Sequence, residues 1–416
     1  MAALLIHNLA QLATPLGNAA RRGPAMRELR VLERPVLVVR DGRFAFVGRE
    51  SELPREMKSE IHEDLDAAGG TALPGFVDTH THIPFVGYRD SEFNRRLQGE
   101  SYAAIAAAGG GIASTVRTTR RATEGEIVDW IRERTRWMAL YGTTTVEAKS
   151  GYGLNRDDEM KQLRAIRRSG SPVRLVPTAL PAHEFPPEID RSSSSDRVEY
   201  IRQVTDEILP TIAEERLARY CDVFVESGVF TAAEGEAILL AGRALGLTPR
   251  IHADELSDTG GAALAARVGA ASADHLMHVS EEGIAALAAS DTVANLLPAT
   301  SFFLMSDRYA PARELIDRGA IVSLSTDCNP GSSMTESMPM VIQLASLRMK
   351  MTVEEALTAA TLHGAYSIGM SGEIGSVEVG KRADLTLLDA PNYLHLVYHF
   401  GVNLVRHVFR DGMKIV

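Results

Sequence analysis

The chain has 416 residues, 45% of them hydrophobic and 24% charged, an ordinary composition for a water-soluble globular protein with room for a large core. A net charge of −10 and a pI near 5.7 exclude a nucleic-acid surface, which needs clustered Lys and Arg. Two cysteines, Cys221 and Cys328, exclude a disulfide framework and point to a reducing compartment.

In chain order, Met1–Pro15 is mildly apolar but lacks a basic lead and is interrupted by His7 and Asn8. It reads as a first strand rather than a secretion signal. No window of about 18 uninterrupted apolar residues occurs, so a cytoplasmic protein with no membrane partner is expected. Short β-like runs follow at Val36–Val39 and Phe44–Val47, with Asp41-Gly42 between them as a hairpin signal. The far end has the same texture: Asp384–Asp389, then Val405–Val416 with Asp411-Gly412 as a turn. Residues 1–70 and 378–416 are therefore expected to build one small composite β-sandwich from both termini.

Residues 71–377 alternate. Strand-like runs lie at Leu73–Val77, Thr143–Ala148, Val173–Leu180, Asp222–Val225, Thr248–Ala253, Ser272–Leu276, Val293–Leu297 and Ile321–Ser325. Helical patterns separate most of them, as at Glu126–Leu140, Asp157–Arg168, Ala232–Leu245 and Glu281–Ala289. This alternation predicts an α/β fold, a (β/α)₈ TIM-like barrel. A doubly wound sheet is the alternative, but no G-x-G-x-x-G follows the first run. Gly109-Gly110-Gly111 and Gly151-Tyr152-Gly153 are too short for that fingerprint and read as loop glycines.

Barrel enzymes place their chemistry where strands end, at the C-terminal face. The polar residues closing these runs are His80 and His82, then Glu147, Lys149 and Tyr152, then His183. Later runs close on His252 with Asp254 and Glu255, on Asp274 and His275, and on Asp327 and Asn329. His80 and His82, two apart, project to one face of an extended chain. Imidazoles and carboxylates from separate strands suit a borderline ion such as Zn²⁺ or Fe²⁺, which lowers the pKa of bound water to roughly 7. His7, His62, His395, His399 and His407 lie in the β ends and read as structural or solvated; His278 and His363 lean the same way.

The motifs FVDTHTHIPFVGYRDSEF, TTTVEAKSGYGLNRDDEMKQLRAI, HADELSDTGGAALAARVGAASADHLMH and STDCNPGSSMTESMPM resemble those of the metal-dependent amidohydrolase superfamily. Within it they are similar to the branch that opens 4-imidazolone-5-propanoate to N-formimidoyl-L-glutamate in histidine degradation. The resemblance implies attack of metal-bound hydroxide on the cyclic amide carbon, with one divalent or trivalent ion per subunit, Zn or Fe. His80, His82, His252 and Asp327 would be the ligands. Glu255, His275 and Asp327 would be catalytic: Asp327 takes a proton, His275 hydrogen-bonds the water or the oxyanion, and Glu255 assists the departing nitrogen. Arg89 would hold the propionate. Tyr102, Tyr152, His183, Glu255, Asn329, Gly331 and Ser332 would complete the substrate site, the Asn-Pro-Gly-Ser-Ser turn offering backbone N–H groups to an anion. A homodimer is implied.

Two competitors stay open: an aminohydrolase of purine-like rings, which would not need Arg89, and a non-catalytic barrel. Lys149 could suggest a carbamylated lysine bridging two metals, but one metal and a structural Lys149 is the preferred reading. Cys328 reads as a small buried residue behind a ligand.

Overall fold

The computed structural model describes residues 3–100 and 109–416; Tyr102 lies outside the described residues. Eight parallel strands follow one another in sequence order: Phe76–Asp78, Thr143–Lys149, Arg174–Ala182, Tyr220–Val225, Thr248–Ala253, Ser272–His275, Val293–Leu296 and Ile321–Leu324. Backbone bonds from Asp327 N–H to His80 O and from His82 N–H to Cys328 O, each 3.0 Å, join the first and last strands and close the ring. The outer helices start where short polar side chains can take orphan N–H groups. Thr123 and Thr231 form capping boxes with Glu126 and Glu234, opening the helices Glu124–Leu140 and Ala232–Ala244. The barrel expected from the alternation is the observed fold.

The first run departs from expectation. Leu73–Val77 reads as one strand, but the chain changes sheets at Gly75. Thr71–Pro74 pairs with Leu385–Leu388 outside the barrel, and Phe76–Asp78 starts the barrel itself. A Cβ at Gly75 would collide with the side chain of Thr144, so only glycine lets the chain cross there. His80 and His82 consequently lie just beyond the strand's end, on an extended segment that still keeps the period of two.

The termini form two sheets. Ala3–His7, Pro35–Arg40, Arg43–Arg49 and Ile61–Asp66 make a four-stranded sheet. Gln11–Thr14, Arg30–Glu33 and Thr71–Pro74 join Leu385–Leu388, Val405–Arg410 and Met413–Lys414 in a six-stranded one. Ile6, Leu12, Leu37, Phe44, Leu385 and Phe409 are buried in one apolar cluster drawn from both. Arg174 on the third barrel strand reaches Asp384 (2.6 Å) and Asp411 (2.8 Å), tying barrel to sandwich. Among the described residues no helix is long and apolar enough to cross a membrane.

Candidate active site

The strand ends of the C-terminal face converge on one point. His80 and His82 arrive from the first strand, His252 from the fifth and Asp327 from just past the eighth. His82 Nε2 lies 3.3 Å from His80 Nε2 and 3.3 Å from His252 Nε2. Asp327 Oδ1 is 3.4 Å and 3.5 Å from the Nε2 atoms of His80 and His82. On the far side of the rings, His80 Nδ1 meets Asp274 Oδ2 at 2.8 Å and His252 Nδ1 meets Asp222 Oδ2 at 3.1 Å. The Asp274 carboxylate assigns the His80 proton to Nδ1 and turns its Nε2 lone pair inward, and Asp222 stands on the same side of the His252 ring.

Burial pushes the pKa values of His80 and His82 well below the ordinary histidine value, so neither ring relieves the crowding by protonation. Neutral imidazoles whose Nε2 atoms crowd around one point beside a carboxylate are the donor set a cation takes. A tetrahedral ion with bonds near 2.1 Å separates its ligand atoms by about 3.4 Å, close to what these side chains already show. The donors therefore fit a Zn- or Fe-type ion. Two triads are compact enough to hold one, His80–His82–His252 and His80–His275–Asp327, each with ligand atoms within 4.8 Å of one another.

Around this point sit the groups that can move protons. Asp327 Oδ2 accepts from Thr300 Oγ1 (2.8 Å) and Ser332 Oγ (3.3 Å), which leaves Oδ1 facing the histidines. Burial outweighs those bonds and raises its pKa to about 6. Among the described residues neither ring nitrogen of His275 has a hydrogen-bond partner, and Nε2 stands 3.6 Å from Glu255 Oε2. Burial, with Asp327 and then Glu226 nearby, holds the Glu255 carboxyl well above the usual range, which favours its protonated form. Asp254, His275 and Asp327 take φ of 51°, 81° and 55°, left-handed backbone that non-glycine residues adopt at a cost and that clusters at active sites.

A cavity of about 550 Å³ opens above these groups, and Arg89 lies on its wall with Tyr152, His183 and Glu255. Glu92 holds the Arg89 guanidinium through Nε (2.9 Å) and Nη2 (2.8 Å), while Nη1 lies against Gly331, where a Cβ would collide with it. His183 donates from Nδ1 to Gly151 O (3.0 Å) and stacks on His82 with ring centroids 4.8 Å apart. Burial drives its pKa down to about 3, so it meets a substrate as a neutral acceptor. Burial likewise raises the Tyr152 phenol, keeping it a hydroxyl.

The expectation of free backbone donors in the Asn329 turn is not met. Gly331 N–H and Ser332 N–H both donate to Asn329 Oδ1 at 2.8 Å, while Asn329 Nδ2 donates to Asp327 O at 2.7 Å. The turn braces Asp327, and its amides are already satisfied. Asp254 is also structural: its carboxylate accepts from Thr259, Gly261 and Ala262 at the start of the helix Gly261–Arg267. Cys328 is a buried thiol whose pKa burial raises. Lys149 lies beneath the site between Glu147 (2.9 Å) and Asp222 (2.8 Å). Burial alone would lower its pKa, but those carboxylates outweigh burial and raise it, so it is an ammonium rather than a metal bridge.

Asp222, Thr300, Glu92 and Glu226 were not anticipated from the sequence. Glu226 accepts from Leu256 N–H (2.9 Å) and Ser257 N–H (3.3 Å) and so fastens the loop that carries Glu255. Asp222 left one signal, a carboxylate inside the apolar run YCDVFV.

Residues 71–414 match the amidohydrolase family. The imidazolonepropionase of Symbiobacterium thermophilum is 48% identical over 99% of this chain and 97% of its own length. That of Porphyromonas gingivalis strain W83 is 47% identical with the same coverage. Among solved structures, a zinc-bound adenosine deaminase from Xanthomonas campestris superposes with a TM-score of 0.70 at 20% identity, covering 99% of this chain and 92% of that one, a likeness of fold alone.

Proposed function

This chain belongs to the amidohydrolase family and, within it, to the imidazolonepropionases, and from that premise we propose how its cavity opens the ring of 4-imidazolone-5-propanoate to N-formimidoyl-L-glutamate. The observation that carries the reading is the pairing of two poles in one cavity: inward Nε2 lone pairs at one end and the Arg89 guanidinium at the other.

His80, His82, His252 and Asp327 would hold a single ion, zinc or iron. When bound, that ion supplies Lewis acidity and brings the pKa of its water to about 7. Asp327, braced at Oδ2 by Thr300 and Ser332, would serve as the general base for the attacking water. His275, with both nitrogens unengaged, hydrogen-bonds the oxygen on which charge develops at the ring carbonyl. Glu255, protonated in its buried setting, donates to the departing ring nitrogen. Arg89 takes the propionate through its guanidinium edge, a match of planar fork to carboxylate that a purine-like ring would leave unused. Tyr152 and His183 bound the imidazolone ring as neutral groups, Gly331 and Ser332 line the same wall, and Asn329 acts by bracing the turn.

We further propose a cytoplasmic homodimer, with residues 71–377 as the catalytic unit and 1–70 with 378–416 as the β unit. The deciding experiment incubates the protein with imidazolone propionate, with and without prior chelation, and measures formimidoyl-glutamate directly. Product should form, vanish on chelation and return with Zn²⁺ or Fe²⁺. Turnover of a purine in preference to imidazolone propionate would overturn the reading.

A further inference from the structure

Beneath the histidines lies a charged layer that the reaction itself does not use. Lys149, Glu147, Asp222, Asp274 and Arg250 are all fully buried. Lys149 Nζ is 2.8 Å from Asp222 Oδ2, 2.9 Å from Glu147 Oε1 and 3.8 Å from Asp274 Oδ2. The two oxygens it faces on Asp222 and Asp274 are the same two that lie against His252 Nδ1 (3.1 Å) and His80 Nδ1 (2.8 Å). Arg250 Nη2 sits 3.8 Å from the other oxygen of Asp274 and donates to Thr79 O at 2.9 Å.

Apolar residues of similar volume would often serve a barrel core at least as well as buried ion pairs. What ion pairs add is fixed orientation. We propose that Lys149 is a positioning residue of the metal centre: its ammonium grips Asp222 and Asp274 together and, through them, holds His252 and His80 with their Nε2 lone pairs turned to the ion. Without that shared cation, two carboxylates in a dry interior repel each other and swing off the imidazoles they orient. The ligand set is then no longer assembled before the ion arrives. This inference rests on the metal reading given under Proposed function.

The test strips the full-length protein with chelator and titrates it with Co²⁺, reading the dissociation constant, the visible ligand-field spectrum and the gain in Tm on loading. Wild type should bind one Co²⁺ with a tetrahedral-type spectrum. Lys149→Met should raise the dissociation constant about 10- to 100-fold, the range usual for loss of such supporting partners, with a smaller gain in Tm and an altered spectrum. Should Lys149→Met not fold, Asp222→Asn and Asp274→Asn carry the test; each keeps volume and an acceptor oxygen but gives up the attraction to the ammonium, and each should weaken Co²⁺ binding in the same range. A folded Lys149→Met with wild-type affinity and spectrum, even at a lower Tm, overturns the proposal and leaves Lys149 a structural residue. Unchanged affinity in both Asn variants overturns it equally. Wild type that binds no Co²⁺, Zn²⁺ or Fe²⁺ overturns the metal reading itself, and this inference with it.

Discussion

The two poles of the cavity are built to different standards. At the metal pole three of the converging side chains have a partner behind them: His80 has Asp274, His252 has Asp222, and Asp327 has Thr300 and Ser332. These groups sit on strand ends of a closed barrel, and nearly all of them are fully buried. At the carboxylate pole, Arg89 stands just before the helix Asp90–Leu97, keeps 11% of its side-chain surface and is held, among the described residues, by Glu92. Chemistry demands sub-ångström placement and receives it from the barrel. On the proposed reading, substrate choice needs one well-aimed charge, carried here on a loop.

If that division is real, substitutions at the two poles should fail in different ways. The largest effect belongs to Asp327→Asn, which removes both the proposed ligand charge and the proposed proton acceptor: kcat should fall by about 10³-fold or more, with metal content measured alongside. Next, Arg89→Met should raise KM by about 100-fold, corresponding to the roughly 2–5 kcal/mol lost when a paired charge goes, while kcat changes little. Steady-state kinetics on both variants separates the poles; a kcat loss in Arg89→Met matching that of Asp327→Asn would erase the distinction.

Glu255→Gln sharpens the metal pole further. Because burial raises the Glu255 pKa, its proton is kept to higher pH than an ordinary glutamate's and is lost as pH rises through that elevated value. The wild-type kcat profile should therefore fall on the alkaline side, and Glu255→Gln should lose that limb along with about 10²-fold in rate. Full kcat in Glu255→Gln would end its role as an acid.

The smallest effect on turnover is expected away from both poles, at His363. This buried ring receives Arg21 N–H at Nε2 (2.9 Å) and donates from Nδ1 to Val322 O (2.7 Å), and burial lowers its pKa to about 4. The unfolded chain, with histidine near 6.5, binds the extra proton first. Stability should thus be intact above pH 6.5 and fall as pH drops toward 4, by on the order of 3 kcal/mol from this group. Denaturant midpoints of wild type and His363→Gln across that range should show a shallower slope in the variant, with kcat near pH 7.5 unchanged.

Much of the barrel was legible because each buried strand is an apolar run ended by a polar residue, and those terminators are the site. His80, His82, His252, His275 and Asp327 could be found this way without knowing how strands pair. The orienting carboxylates could not. Asp222 lies in register with Arg250, while His252 pairs with Phe224 on the same neighbouring strand; only the stagger of a closed barrel brings Asp222 under His252. The break at Gly75 was hidden for a similar reason, since the clash that demands glycine comes from Thr144, on another strand. The Asn329 turn misled because its amides looked available while its own side chain consumes them. Composition and period speak for single elements, whereas these features belong to pairs of elements.

The seam between the first and last barrel strands has a consequence for how the molecule forms. Thr79 and Asp78 on one side bond Ser325 and Thr326 on the other across 246 and 248 residues of chain. Contacts between such distant segments carry a heavy loop-closure cost and come late in folding. His82 and Asp327 face each other across this seam. The ion-binding pocket is therefore complete only when the ring has shut, and an ion that binds there acts as a clasp, trapping the closed ring and slowing its reopening.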